Sequence, residues 1–496
     1  MKEKVLNIYI QGMNILNQVG IKLKHPEILN LVKKNNVTVD GETAFFTREQ
    51  IESWISKAPE SFTLHARNPL HDSVIGGNQT NFIPGYGCPT IYEVNGTSRN
   101  ALLKDYIQIS KLVHQCDHFS INGGILAQPN DVPAELSHLV MVYSALQTSD
   151  KCLMGLPGNQ VQINQIMDMA AIMFGGRKEL EKAPRILTLI NTISPLLIDE
   201  MALNSIKVCA QYNQPMIITP SPAAGTTGPI DLAANMALAT AEALAAIAIA
   251  QMIRPGVPMI FGVQGNMANL KTGGISIGSP GYALQGKYTA ALAKMLSLPS
   301  RCGGATTDSL CVSPQSGYES MFSMLTACQN NVNLIMHSAG ILDSFAAISY
   351  EKFIMDIEML DMVKFYFNDF EANDTTMNMD LIRKVGPGGQ FLTSGDTMEK
   401  CRSHSWNPRV GVRGYVSPEK ALEIYYKNID NALNQMLISY TKPEFDADIK
   451  TELDAFMMDQ GVSSQILSLV NDLINDNLGY DTLENDNFLH NNLEKS

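Results

Sequence analysis

The chain is short of the features that mark several large protein classes. Its 36 Lys and Arg are outnumbered by 49 Asp and Glu, for a formal net charge of −13. A binder of nucleic acid or of an anionic membrane surface would carry the opposite excess. The cysteines stand singly, at Cys88, Cys116, Cys152, Cys209, Cys302, Cys311, Cys328 and Cys401, with no CxxC and no paired Cys/His spacing. That argues against a zinc knuckle or a disulfide framework, and the expectation is mostly buried, mostly reduced thiols in a cytoplasmic protein with no metal site. The opening MKEKVLNIYIQGMN has no apolar core long enough for a signal peptide. No Walker pattern occurs, and no GxGxxG follows the first strand-like run of the alternating region described below, so nucleotide chemistry lacks its usual signatures.

What is present begins with helices. Apolar residues at helical spacing over 8–19 stop at Gly20; further short helices are expected at 25–34 and at 47–58, where Thr47 and Gln50 form a capping box. From residue 81 two extended runs flank the turn Pro84-Gly-Tyr-Gly-Cys-Pro89, and a second turn falls at Asn95-Gly96. Tyr86, between two glycines, has no local packing neighbours; it is either a surface turn tyrosine or an aromatic presented to a pocket.

A regular alternation then starts. Strand-like runs at 118–124, 151–156, 185–192, 214–220, 258–264, 302–306, 332–337 and 389–393 alternate with helical stretches ending at 418–437. This count fits an α/β chain built on a (β/α)8 TIM barrel over 116–440, with an N-terminal helical and hairpin extension (1–115) and a C-terminal helical tail (441–496). A doubly wound open sheet is the rival. The alanine-rich run 232–253 contains Asn235 and Glu242 and reads as a buried core helix, not a membrane span.

A barrel carries its chemistry where its strands end. Those exits offer Asn122, Asn191, Thr192, Ser221, Gln264, Thr307, Asp308, His337, Phe391 and Thr393. The set has one carboxylate and one imidazole. It lacks the lysine of a Schiff-base aldolase and the several His and Asp of a metal-dependent barrel hydrolase. His337 is either a core histidine or an orienting donor, and Asp308 either a helix cap or a site charge.

Seven short motifs run through the chain in order: Ser194-Pro-Leu196, Ala224-Gly-Thr-Thr-Gly-Pro229, Pro255-Gly-Val-Pro258, Thr307-Asp-Ser309, Gln315-Ser-Gly-Tyr-Glu319, Ala339-Gly-Ile-Leu-Asp-Ser344 and Gly386-Pro-Gly-Gly-Gln-Phe-Leu392. Together they resemble the trimethylamine methyltransferase superfamily. With only standard residues, the chain is most similar to its pyrrolysine-free branch, the quaternary-amine:corrinoid methyltransferases. Where family members often read GPGGHF followed by a His-Thr pair, this chain has Gln390 and Asp396-Thr397, so no contact of those histidines carries over.

The resemblance implies a barrel enzyme in an anaerobe's cytoplasm. It moves a methyl group from glycine betaine, proline betaine, carnitine or γ-butyrobetaine to Co(I) of a corrinoid. The chain lacks the Asp-x-His-x-x-Gly corrinoid signature. The resemblance therefore places the cobalamin on a separate corrinoid protein, with no cofactor held tightly by the chain itself. Aromatic faces at Tyr86, Tyr318 and Phe391 are candidates for the cation, each worth about 0.5–2 kcal/mol. Asp308 and Glu319 could add charge. His337, Gln264, Asn191 and Thr192 could donate to a carboxylate, and Gln315 completes the candidate wall. Methyl transfer between a corrinoid and a folate-type acceptor, or a betaine sensor without turnover, are the alternatives. A homo-oligomer is expected.

Overall fold

The computed structural model describes residues 1–94 and 96–476. Asn95 of the second turn, and 477–496 of the expected tail, lie outside the described residues.

Among the described residues, eight short parallel strands are each followed by a helix. β1 (Asn81–Phe82) leads to α1 (Leu103–Gln115), β2 (Ile121–Gly123) to α2 (Ser137–Thr148), and β3 (Cys152–Met154) to α3 (Gln160–Met173). β4 (Ile186–Ile190) leads to α4 (Glu200–Gln211), β5 (Met216–Ile218) to α5 (Leu232–Ile253), and β6 (Met259–Phe261) to α6 (Pro280–Met295). β7 (Arg301–Gly303) with α7 (Pro314–Gln329) and β8 (Leu334–Met336) with α8 (Tyr350–Phe367) complete the series. The strands pair in the order β6-β5-β4-β3-β2 and β7-β8-β1. Single parallel bridges, Phe82 to Phe119 and Phe261 to Ser300, connect the edges of the two sheets. The architecture is α/β and TIM-barrel-like.

Strand side chains alternate between two environments. Ile121, Met154, Leu187, Leu189, Ile217, Ile260, Leu334 and Met336 form one interior cluster, while the opposite faces pack under the helices. The same cluster takes Leu64, Ala66 and Ile75 from a hairpin, Ser61–Leu64 with Ser73–Gly76. That hairpin lies under the strands' starting ends. His65 N–H donates to the Pro184 carbonyl (2.9 Å), Asn68 N–H to Asp150 (3.0 Å), and Asn333 Nδ2 to the Gly77 carbonyl (2.9 Å). One end of the strand assembly is thereby plugged, and open polar positions collect at the other.

Helix α5 is mostly apolar because it is enclosed on all sides, its few polar residues included. Its inner face meets β5, and its outer face meets the N-terminal helix Lys2–Gln18 and the helix Arg48–Ile55. An added Cβ at Gly12 would lie 3.2 Å from the Ala237 carbonyl oxygen, so glycine facing an alanine-rich helix permits this close approach. The Thr47–Gln50 capping box is present and starts the helix Arg48–Ile55.

One expected element is displaced. No strand forms at 389–393, and the eighth strand is instead β1, ahead of the expected barrel boundary at 115. Gly386 ends the helix Met379–Val385 at φ 67°, and the following Pro-Gly-Gly is turn, so Phe391 sits in an exposed loop at 45% exposure. The helix paired with the last strand is accordingly α8, not Pro418–Ile438. Two further helices, Ala447–Asp459 and Ser464–Asn475, lie against α3 and against α1 and α2 respectively.

Inside α8, Lys352 is fully buried and forms an i,i+4 ion pair with Asp356. Its Nζ also donates to Ser320 Oγ (2.9 Å), and the second Asp356 oxygen accepts the Gly340 N–H (2.8 Å), anchoring the loop after β8. Removing one partner strands the other charge. Asp356→Ala should therefore cost about 3–5 kcal/mol in urea-melt stability, and replacing both residues with apolar ones should cost less.

Candidate active site

The open end of the strand assembly holds an aromatic cluster around His337. This residue follows β8 at φ 56°, a left-handed backbone that costs a non-glycine residue free energy. The strain is held by ladder-like bonds to the two residues that follow β1: His337 N–H to the Pro84 carbonyl (3.1 Å) and Ser338 N–H to the Ile83 carbonyl (2.8 Å). The imidazole is 5% exposed, and its Nδ1 has no hydrogen-bond partner. Burial first, and then the Arg301 charge, hold its proton affinity well below the usual 6.5. The ring is therefore neutral.

Two aromatic rings meet it. Tyr86 approaches edge-on, with ring centroids 6.5 Å apart at 72°, and Phe345 is tilted against it at 4.5 Å and 46°. Tyr86 is turned inward by the glycine turn that carries it. Its ring lies over Gly124, where a Cβ would come within 2.5 Å, and its buried hydroxyl has no partner. Burial pushes the phenol pKa up, so it stays protonated.

Phe345 ends three successive left-handed residues, Asp343 (φ 49°), Ser344 (φ 51°) and Phe345 (φ 77°). Such a run persists only where surrounding bonds enforce it. Tyr92 Oη donates to Asp343 (2.7 Å), Ser344 Oγ donates to Asp308 (2.7 Å), and the Ser344 N–H donates to the Thr307 carbonyl (3.1 Å).

Several expected site residues turn out to hold loops. Asp308 also accepts from Ser276 Oγ and from the N–H groups of Ile277 (2.6 Å) and Gly278 (3.1 Å). Glu319 accepts from Thr307 Oγ1 (2.5 Å), the Asp308 N–H (2.9 Å) and Gln315 Nε2 (3.0 Å). Gln264 uses both ends, taking the Gly303 N–H (2.7 Å) on its oxygen and giving Nε2 to the Tyr282 carbonyl (3.2 Å). Thr192 donates to Glu242, which also accepts from Ser194 Oγ (2.9 Å) and the Leu196 N–H (2.9 Å). The Ser194-Pro-Leu196 motif is thus the counterpart of a buried carboxylate, whose pKa burial raises. Asn191 is exposed and accepts from Thr219 Oγ1 (2.5 Å). Tyr318 is 64% exposed on α7, and with Phe391 it stands outside the cluster.

Two residues of the cluster escaped the sequence reading. Phe345 follows the Ala339–Ser344 motif by one position. Arg301 opens β7 instead of ending it; its register partner Leu334 belongs to the interior cluster, so its side chain points inward. Arg301 is 6% exposed with Nε lacking any partner. A charged residue opening an otherwise apolar strand was its one sequence signal. A separate cavity of about 600 Å³ lies between the N-terminal helix, α5 and α6, lined by Ile8, Leu232, Met236, Leu284 and Tyr288 among others. It lies in the outer helical layer and contains none of the clustered groups.

The family model for trimethylamine methyltransferase (MTTB) matches residues 1–463. The chain belongs to that family. It is 38% identical over 461 residues to the glycine betaine methyltransferase of Desulfitobacterium hafniense strain Y51, covering 93% of this chain and 96% of the relative. Over 460 residues it is 26% identical to the proline betaine:corrinoid methyltransferase of Eubacterium limosum, covering 90% and 94% of the two chains. The crystal structure of the Methanosarcina barkeri monomethylamine methyltransferase (MtmB) aligns at a TM-score of 0.51 and 10% identity, over 87% of this chain and 93% of that one. That last likeness shows a shared fold. The family expected from the motifs is the family found.

His337 gives a pH prediction. Its folded proton affinity is lower than the ordinary value near 6.5, so below that pH the unfolded chain takes up a proton that the folded chain refuses. The residue withdraws stability as pH falls below about 6.5 and has no such effect above it. Thermal melts of His337→Gln should therefore lose less Tm than wild type between pH 6.5 and 5, with the two pH slopes converging above pH 7.

Proposed function

We propose that this methyltransferase takes a methyl group from a carboxylated quaternary amine, with glycine betaine first among the betaines. The acceptor is Co(I) of a corrinoid carried by a separate protein. The observation that carries the reading is the cluster of Tyr86 and Phe345 around a buried, neutral imidazole. The similarity to betaine methyltransferases supports the substrate class.

The chemistry suits such a site. A quaternary ammonium already carries its positive charge and leaves as a neutral tertiary amine, so no proton has to be delivered to nitrogen. Aromatic faces attract the cation and strip its water. The loops hold one N–CH3 bond in line with the incoming nucleophile, which converts a bimolecular displacement into an oriented one. Cobalt(I) supplies the electron pair, the carbon–nitrogen electron pair departs with the amine, and the balance is methyl-cobalt(III) plus tertiary amine. His337 orients and donates; it is not an acid at nitrogen.

On this reading the eight parallel strands form a single (β/α)8 barrel, with the Phe82–Phe119 and Phe261–Ser300 bridges as its seams. Its open mouth receives the corrinoid protein. The chain self-associates in the cytoplasm, burying exposed apolar residues such as Phe370 and Leu392.

The test is an anaerobic assay with free cob(I)alamin and glycine betaine, followed by absorbance and product analysis. The expected products are methylcobalamin and dimethylglycine in equal amounts. Failure to methylate cobalamin with glycine betaine, proline betaine, carnitine and γ-butyrobetaine alike would sink the proposal. Tyr86→Leu should weaken substrate binding by about 2- to 30-fold, the range of one cation–π contact, while Tyr86→Phe retains most of it.

A further inference from the structure

Four cationic side chains are buried among the described residues: Lys111, Lys151, Arg301 and Lys352. Three of them have acceptors. Lys111 Nζ donates to the carbonyls of Leu473 (2.9 Å) and Asp476 (2.6 Å), and Lys151 Nζ to those of Val113 (2.9 Å) and Cys116 (2.7 Å). Lys352 is paired with Asp356. Arg301 is the exception: its Nε has no hydrogen-bond partner, and no described carboxylate forms an ion pair with it.

A buried guanidinium is tolerated when its charge and its planar donors are matched. Here the match is missing in a place where other polar atoms also wait. His337 Nδ1 and Tyr86 Oη are buried without partners, and the Arg301 charge is felt at His337. Arg301 points into the strand assembly, and the next inward position on its strand is Gly303, which has no side chain. A Cβ at Gly303 would fall 2.6 Å from the Tyr282 hydroxyl, so that hydroxyl occupies the space. A positive charge without an ion-pair partner, a neutral imidazole and two phenols therefore border one interior region; the carboxylate felt there, Asp308 at Tyr282, is already taken by four donors from its own loops.

We propose that Arg301 is a carboxylate-binding subsite, gripping the acid end of the substrate while Tyr86 and Phe345 face its quaternary ammonium. This rests on the substrate reading above and deepens it. A guanidinium fork matches the two oxygens of a carboxylate, and the bond is charge-assisted on both sides. The subsite selects amino-acid betaines over quaternary amines that lack an acid group. It also fixes the end of the molecule opposite the departing methyl group, making Arg301 a positioning and specificity residue that touches substrate without taking part in bond cleavage.

The test is calorimetric titration of wild type, Arg301→Gln and Arg301→Lys with three probes. Glycine betaine has both ends, its carbon isostere 3,3-dimethylbutyrate has the carboxylate alone, and tetramethylammonium has the cation alone. Arg301→Gln should weaken glycine betaine and 3,3-dimethylbutyrate by about a hundredfold or more, as when one partner of a buried charge pair is removed. Tetramethylammonium should change by less than about twofold, and Arg301→Lys should recover part of the loss. An Arg301→Gln protein with wild-type circular dichroism that binds glycine betaine like wild type overturns the proposal. So does a wild type that binds glycine betaine no better than tetramethylammonium, a comparison that needs no variant and leaves the quaternary-amine reading standing. A wild type that binds 3,3-dimethylbutyrate through Arg301 but neither quaternary amine has the reverse meaning: the subsite stands and the substrate reading falls.

Discussion

The open end of this fold depends on one carboxylate. Asp308 accepts from the hydroxyls of Ser276 and Ser344 and from the backbone of Ile277 and Gly278. Those donors come from the loops after β6 and β8, and Asp308 itself follows β7, so a single side chain ties three consecutive loops together. Glu319 reinforces the tie from α7 by holding Thr307 and the Asp308 N–H. That tie, together with the bond from Tyr92 to Asp343, holds the left-handed run that swings Phe345 onto His337. A carboxylate saturated with donors is a stable anchor and a poor partner for a substrate cation. On the proposed reading, recognition of the cation then falls to aromatic faces, and charge is kept for the far end of the ligand.

The polar chemistry of the cluster is correspondingly sparse. Most buried polar groups in proteins are satisfied, and exceptions that gather in one place call for a ligand. Tyr86, His337 and Arg301 are three such exceptions within one neighbourhood. His337 is buried, neutral and held by strained backbone, which suits an orienting role and would hinder an acid–base one.

Much of this organisation was legible in the chain itself. Six of the eight strands fall within their expected runs and a seventh starts one residue early, because alternation of apolar runs and helices over a long stretch is a strong signal. The α5 helix and the Thr47 capping box are local and were read locally. The eighth strand was not legible: Asn81–Phe82 is two residues long and owes its place to partners on β8, far along the chain. Phe391 was misplaced by the same error. His337 was singled out because it follows its strand directly, and Tyr86 because it stands between two glycines in a turn. Arg301 was missed because the expected run began one residue later and the rule of strand ends considers only exits; Asp308, Glu319 and Gln264 were singled out, but a sequence shows a donor or acceptor without showing what already occupies it.

The hairpin 61–76 has a consequence for traffic. Because it stoppers one end, whatever binds beside His337 uses the same doorway as whatever relieves it of its methyl group. A small ligand and a macromolecular acceptor cannot pass each other there. If the corrinoid protein docks at that end as proposed, turnover is sequential: the small molecule enters before the acceptor seats itself, and its demethylated remnant waits for the acceptor to lift away.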